Sequence, residues 1–413
     1  MWSAFADGRW LTEERIRAVT RLAGAATLLV ILYLLLSAHG TLDRWGRPLG
    51  TDFSNVWTAG RMALDGQAAE AWEWGPHYRV QQAVHANPEV PFYGWHYPPP
   101  FLLLASLLGL LPYLVALAVW QGATLAAALA VVRRILPGPG ILLPAIAAPV
   151  VLVCLTHGHN GFLTAALLGG GLLLLDRRPL LAGLLLGCLV YKPQFALVIP
   201  PLLLVTRNWR AFAGASASAL LLIAATLLIW GWPVWQAFLD SLTLTRDVVI
   251  EGGATGWAKI QSPFAMTMMW GGTTEVAYAI QGFATAAAVL AILWIARSAD
   301  PMLRNAAVTA ATLLSTPYVL DYDFVVLGMG CAFLIADGRR RGFLGYEKSV
   351  LALVWIAPLL ARTIAAIALV PLGQAAAVAI LVLALRRAVR LDGVAGRWIR
   401  SSPSRHSHAG SDR

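Results

Sequence analysis

Charge is scarce in this chain: Asp, Glu, Lys and Arg supply 13% of 413 residues against 58% hydrophobic ones. A soluble globule with an ordinary charged surface is thereby excluded. Cysteine is scarcer still. The three thiols, Cys154, Cys188 and Cys331, all lie inside apolar segments, where a thiol behaves as a small hydrophobe, and they point to neither a disulfide framework nor a metal site. No Walker, Rossmann, zinc or Ser-His-Asp pattern stands out. What the chain does have is a succession of long apolar runs, the signature of an all-α polytopic membrane protein.

The formal charge of +10 follows the membrane rather than a nucleic acid. The first apolar run, Leu22 to Ala38, comes after Arg15, Arg17 and Arg21 and has no small-residue cleavage motif behind it, so it reads as a retained anchor with a cytoplasmic N-terminus. A polar outer loop, 39–97, follows. Further runs lie near 98–134, 139–156, 161–175, 180–191, 195–206, 211–231, 276–296, 303–318, 320–337, 349–370 and 373–387. Placing Arg133/Arg134, Arg177/Arg178, Arg207/Arg210, Arg297/Arg304 and Arg339–Arg341 inside gives about twelve crossings, a second outer loop at 232–275 and both termini in the cytoplasm. The run 98–134 is too long for one span and is divided by Pro112; 180–191 and 195–206 are short and predict a broken hairpin around "YKPQ". Residues 1–387 form one transmembrane domain. The tail 388–413 is basic, with Arg386 and Arg387 just before it and Arg390, Arg397 and Arg400 within it, and is expected to be cytoplasmic, membrane-apposed and disordered.

The same alternation puts "TDFSNVW", "GWHYPPP", "THGHNG", "YKPQF", "AKIQSPF" and "TPYVLDYDF" on the outer side, where they read as one site. Asp52 opens an amphipathic helix over 54–66 that carries Val56, Ala59, Ala63 and Leu64 on one side and ends at Gly66. It is either a helix cap or a catalytic base. Trp45, Trp57, Trp72, Trp74 and Trp95 suit a headgroup-level layer. Pro98–Pro100 fix an extended entry into the next span, and His96 beside them can titrate near neutral pH and bond a phosphate or hydroxyl. Lys192 and Gln194, in apolar surroundings, need a cavity or an anionic partner, although a lysine can also snorkel. His157, His159 and Asn160 either support that cavity or satisfy helix ends. Asp321 and Asp323 flank Tyr322 in a spacing that suits a helix start better than a metal.

Together, Asp52 after the first span, "HYPPP", the Gly-x-Asn element, "KPQ" in a broken hairpin, "QSPFA" and "TPYxxDYD" resemble the polyprenol-phosphate-mannose-dependent α-mannosyltransferases of glycosyltransferase family 87, multispan enzymes of the GT-C class. The resemblance runs over residues 20–387. It implies a GT-C-type helical bundle in a bacterial-type plasma membrane, with the site facing outside, a polyprenyl-phosphate-sugar donor arriving through the bilayer and a lipid-linked or glycan acceptor. It also implies Asp52 as the base of an inverting transfer, with His96, Lys192 and Gln194 bordering the donor phosphate. Arg61 is a weaker cation candidate, and His159, Asn160, Asp321, Tyr322 and Asp323 complete the substrate site. No cofactor, metal or nucleic acid is called for; membrane lipids are. A multispan secondary transporter of a small polar or anionic solute is the alternative, and a non-enzymatic scaffold, in which Asp52 and Lys192 are dispensable, is a third.

Overall fold

Helix ends in this chain are set by proline and by polar caps. In the computed structural model, which describes residues 2–297 and 300–392, the first elements are α1 (Trp2–Asp7) and α2 (Glu13–Leu36). The segment after α2 then carries α3 (Phe53–Leu64), a 3-10 turn at Ala69–Trp72 and α4 (Trp74–His85). Next come α5 (Pro100–Gly109), α6 (Tyr113–Ile135), α7 (Leu142–Ile146), α8 (Pro149–His157) and α9 (Gly161–Leu174). The hairpin around Lys192 is broken as expected, into α10 (Pro179–Gly187), a 3-10 turn at Cys188–Tyr191, α11 (Pro193–Ala196) and α12 (Ile199–Val205). After it lie α13 (Trp209–Trp230), α14 (Trp232–Leu244) with a π-helical extension at Thr245–Glu251, and α15 (Pro263–Met269). The chain closes with α16 (Thr274–Ile295), α17 (Pro301–Leu314), α18 (Val325–Arg341), α19 (Glu347–Ala368) and α20 (Leu372–Asp392). Pro100, Pro149, Pro179, Pro193, Pro263 and Pro301 each open a helix, where the missing N–H has no intrahelical partner to lose.

Six helices, α2, α6, α13, α16, α19 and α20, are long and apolar enough to cross a membrane, with four shorter apolar segments at Pro100–Gly109, Gly161–Leu174, Pro179–Tyr191 and Pro193–Val205. Among the described residues there is no β-strand. The run 98–134 does divide at Pro112: α5 has 10 residues, about 15 Å, or half a hydrocarbon core. Rather than crossing alone, α5 packs on the loop helix α3 so closely that a Cβ on Gly60 would stand 1.9 Å from the Ala105 carbonyl oxygen. At the centre is α17, buried at every position from Leu303 to Leu314 and surrounded by α9, α16, α18 and α20. Its first turn is satisfied by side chains. Arg304 donates to both oxygens of Asp176 at 3.0 and 2.7 Å, and Asn305 to the Leu172 carbonyl at 3.0 Å.

Three expectations need correction. The buried face of α3 is more polar than its apolar spacing suggests: Ser54, Asn55 and Thr58 are buried with Phe53, Val56 and Met62, while Leu64 is exposed. Trp72 and Trp95 are not a headgroup layer but are buried in a packed aromatic core, in ring contact with each other and with Phe238 and Phe101. Finally, the expected tail does not start at residue 388, because α20 runs on to Asp392, and Arg387 within that helix is buried. Two buried carboxylates hold it: the guanidinium donates to Asp337 at 2.7 Å and to Glu347 at 2.5 Å, and Arg340 and Arg341 also bond Asp337. Residues 393–413 of the expected tail lie outside the described residues.

The segment between α2 and α5 also buries histidines. His85 accepts or donates between Thr41 and Ser54, 2.8 Å from each hydroxyl. Burial pushes His77 down to about 3 and His85 to about 4, and it pushes His96 to about 4 although Asp52 pulls it back up. The neutral ring is therefore the folded form. Because the unfolded chain takes up these protons from about pH 6.5 downward, stability of residues 53–97 is full above that pH and falls as it drops toward 4. Corrected amide exchange in α3 and α4 should quicken at least about tenfold between pH 7 and pH 5 while α17 stays constant; a flat profile in α3 and α4 would contradict the assignment.

Candidate active site

Four turns, distant in sequence, converge. The first holds Asp52. Its backbone N–H donates to the His157 carbonyl at 2.9 Å, a contact made possible where two left-handed glycines meet: Gly50 has φ +69°, Gly158 has φ +62°, and a Cβ on Gly158 would lie 2.6 Å from that of Phe53. Although Asp52 occupies the position before α3, its side chain makes no capping hydrogen bond. Its Oδ2 instead lies 3.7 Å from Lys259 Nζ, buried and without a hydrogen-bond partner, with the two side chains 13% and 15% exposed.

The second turn, "HGHN", is pinned by α6: Trp120 donates to the Gly158 carbonyl and Gln121 to the His159 carbonyl, both at 3.1 Å. His157 Nδ1 lies 2.8 Å from the Val153 carbonyl, which requires the proton on Nδ1 and leaves Nε2 to accept from Arg362 at 3.4 Å. The third turn, "AKIQSPF", is bound to the fourth by a bridge between Ile260 and Leu320, by Gln261 N–H to the Val319 carbonyl at 2.8 Å and by the Ser262 hydroxyl to the Pro317 carbonyl at 2.7 Å. Lys259 is thereby carried to a point 5.0 Å above the Tyr322 ring.

The fourth turn distributes its two carboxylates differently. Asp321 accepts from Arg362 Nη2 at 2.6 Å, and that arginine remains 47% exposed. Asp323 is 2% exposed, receives Lys192 Nζ at 2.5 Å and lies 3.9 Å from His159 Nδ1; its other oxygen accepts the Leu320 N–H at 3.0 Å. Lys192 also donates to Asn160 Oδ1 at 3.3 Å. Between the layers Tyr322 stacks on His159 at 3.6 Å, and the Tyr97 hydroxyl sits 3.1 Å from His159 Nε2. An open layer of Asp52, Lys259 and Arg362 thus overlies a closed one of Asp323, Lys192, Asn160 and His159.

Desolvation raises the Asp52 carboxyl, but Lys259, His157, the Tyr322 hydroxyl and Arg362 together outweigh it and leave the group below its usual range. It is ionised throughout the physiological range. A carboxylate base beside two cations can deprotonate a hydroxyl while an anion is held. Among the described residues no group of three or more His, Cys, Asp or Glu is placed to hold a metal ion.

Several candidate residues stand elsewhere. Arg61 is not brought in; it pairs with Asp65 at 2.8 Å on the exposed side of α3. Gln194 is half-buried and makes no side-chain hydrogen bond to a described residue. His96, held by Thr245 at 3.0 Å, is neutral at neutral pH rather than titrating there. Two cations escaped the sequence reading. Lys259 lies inside a motif already placed on the outer side, and Arg362 is an intramembrane charge, a functional signal in its own right.

The closed layer predicts a stability asymmetry. Lys192→Met strands the Asp323 carboxylate and should cost about 3–5 kcal/mol, whereas adding Asp323→Leu should recover most of the loss. Thermal melting in detergent separates these outcomes, and a double variant no better than the single would contradict the pairing.

Neither curated proteins nor solved structures gave a match. The family model for glycosyltransferase family 87 matches residues 95–317, a stretch that holds His96, His157, Asn160, Lys192 and Lys259 but not Asp52, Asp321, Asp323 or Arg362. Over half of the chain is covered, the elements are helical, and the apolar helices suit a bilayer: the chain belongs to glycosyltransferase family 87 and is a membrane glycosyltransferase.

Proposed function

We propose that the chain moves a hexose, mannose being the sugar the resemblance implies, from a polyprenyl-phosphate donor to a lipid or glycan acceptor at the extracytoplasmic face of a bacterial-type plasma membrane, with inversion and with both termini inside. The observation that carries this reading is the Asp52 carboxylate: partly exposed, free of any capping bond and 3.7 Å from Lys259. Asp52 takes the proton of the acceptor hydroxyl as that oxygen bonds to the anomeric carbon. The bond from that carbon to the phosphate oxygen breaks on the opposite side, and the electron pair leaves with the polyprenyl phosphate. Lys259 and Arg362, on the open side of the site, meet the charge growing on that phosphate. Lys192 and Asp323 hold the turns in place behind them.

Radiolabelled transfer from polyprenyl-phosphate-mannose to a lipid extract tests the proposal in nanodiscs. Asp52→Asn keeps shape and should lose about 10²–10⁴-fold in rate with an unchanged melting temperature; full activity in that variant would sink the reading. Lys259→Gln should lower the rate too. The depressed Asp52 pKa keeps the base ionised in mild acid, so at pH 5 this group should impose no loss of rate. A rate falling in step with a single group near pH 6 would assign the base elsewhere.

A further inference from the structure

A cavity lies away from the site. It has a volume of about 860 Å³ and opens between α2, α6, α18 and α19. One end reaches Phe162, Phe324 and Pro358, next to the turn that carries Asp323. From Phe324 to Arg339 the wall follows α18 for about 22 Å, so the other end lies at the opposite membrane face. Its lining is apolar for most of that length. At Gly328, which lines it, an added Cβ would meet nothing within 4 Å. The cavity exists because α2 stands off from the bundle: only 6% of its apolar window is buried.

The far rim is charged in an unusual way for this protein. Arg340, Arg341 and Arg387 at the same end are all bonded to Asp337. Arg15, Arg339 and Lys348, which line the cavity, have no carboxylate. Arg15 donates to the Trp10 carbonyl at 2.9 Å, Lys348 lies 5.4 Å from the centre of the Phe343 ring, and Arg339 makes no side-chain contact with a described polar partner. The rim is also built: Trp10 Nε1 donates to Ser349 at 2.7 Å, which ties the segment before α2 to the start of α19.

We propose that this cavity binds one anionic glycerophospholipid of the leaflet opposite the active site, its phosphate among Arg15, Arg339 and Lys348 and an acyl chain along the apolar wall. A cavity of this size is within the range that encloses a molecule rather than solvent. Three cations without a carboxylate partner at headgroup depth match an anionic head, and a zwitterionic one would bring its own cation against them. A polyprenyl-phosphate donor fits worse, because its phosphate belongs with Lys259 and Arg362 at the other end. The inference does not depend on which sugar is transferred.

Native mass spectrometry of the full chain, titrated with phosphatidylglycerol or with phosphatidylcholine of the same chains, tests it. One phosphatidylglycerol should bind about tenfold more tightly than phosphatidylcholine. Arg339→Gln with Lys348→Gln should remove the preference, Gly328→Leu should weaken both lipids by filling the cavity, and Arg134→Gln, an exposed arginine outside the lining, should change nothing. The proposal is overturned by equal binding of the two lipids to the wild type, by a preference that survives the double substitution, or by polyprenyl phosphate displacing phosphatidylglycerol one for one.

Discussion

Asp323 is a carboxylate at the end of a span with almost no access to water, and Lys192 reaches it from 131 residues away in sequence at 2.5 Å. Neither charge is tolerable there alone, so each dictates where the other's backbone must go. For Lys192 to arrive, the hairpin has to leave helical geometry between α10 and α11, which it does with φ −137° and ψ 65°. For Asp323 to receive it, the 3-10 turn at Asp321–Phe324 must cap itself through Leu320 N–H. Asn160 joins the same ammonium. Such a pair contributes little net stability over a packed apolar substitute; its effect is to fix three turns relative to one another.

On that fixed platform the outer layer is left incomplete. Asp52 has its charge favoured by several neighbours, yet none of them saturates it. Arg362 is anchored through Asp321 but keeps nearly half of its side chain open. The contrast is one of solvation. Charges in the closed layer are spent on each other, and those in the open layer retain capacity for a substrate that arrives with a hydroxyl and a phosphate.

Much of this was legible in the sequence because membranes enforce simple rules. Apolar runs and proline at helix starts located the six long apolar helices, the division at Pro112 and the broken hairpin, whereas the expected twelve crossings are not matched by helices of that length: 139–156 is two short helices, and α17 and α18 are not among the long apolar ones. The gathering of "HGHN", "KPQ", "AKIQSPF" and "DYDF" followed from alternation alone. What could not be read was pairing. Lys192 is costly to bury whether it meets a phosphate or an aspartate, and periodicity does not say which; the structure gives it Asp323. Arg61 follows Asp52 at helical spacing, but a neighbour at i+4, Asp65, draws it outward. The cap reading of Asp52 depended on a side-chain torsion that no sequence pattern records, and the neutral state of His96 depended on a burial that only the folded chain supplies.

The burial of α17 carries a consequence for biogenesis. With 14 residues it is about 21 Å long, shorter than the hydrocarbon layer, and it carries an arginine near its start. No lipid-facing side remains to hold it in a bilayer by itself. Two of its neighbours, α18 and α20, are synthesised after it, and Arg304 is neutralised by Asp176 from a segment made long before. Unlike a helix whose own apolar surface can hold it in a bilayer before it associates, α17 depends on its neighbours for every surface it buries, so the innermost element of this enzyme is the one least able to stand alone.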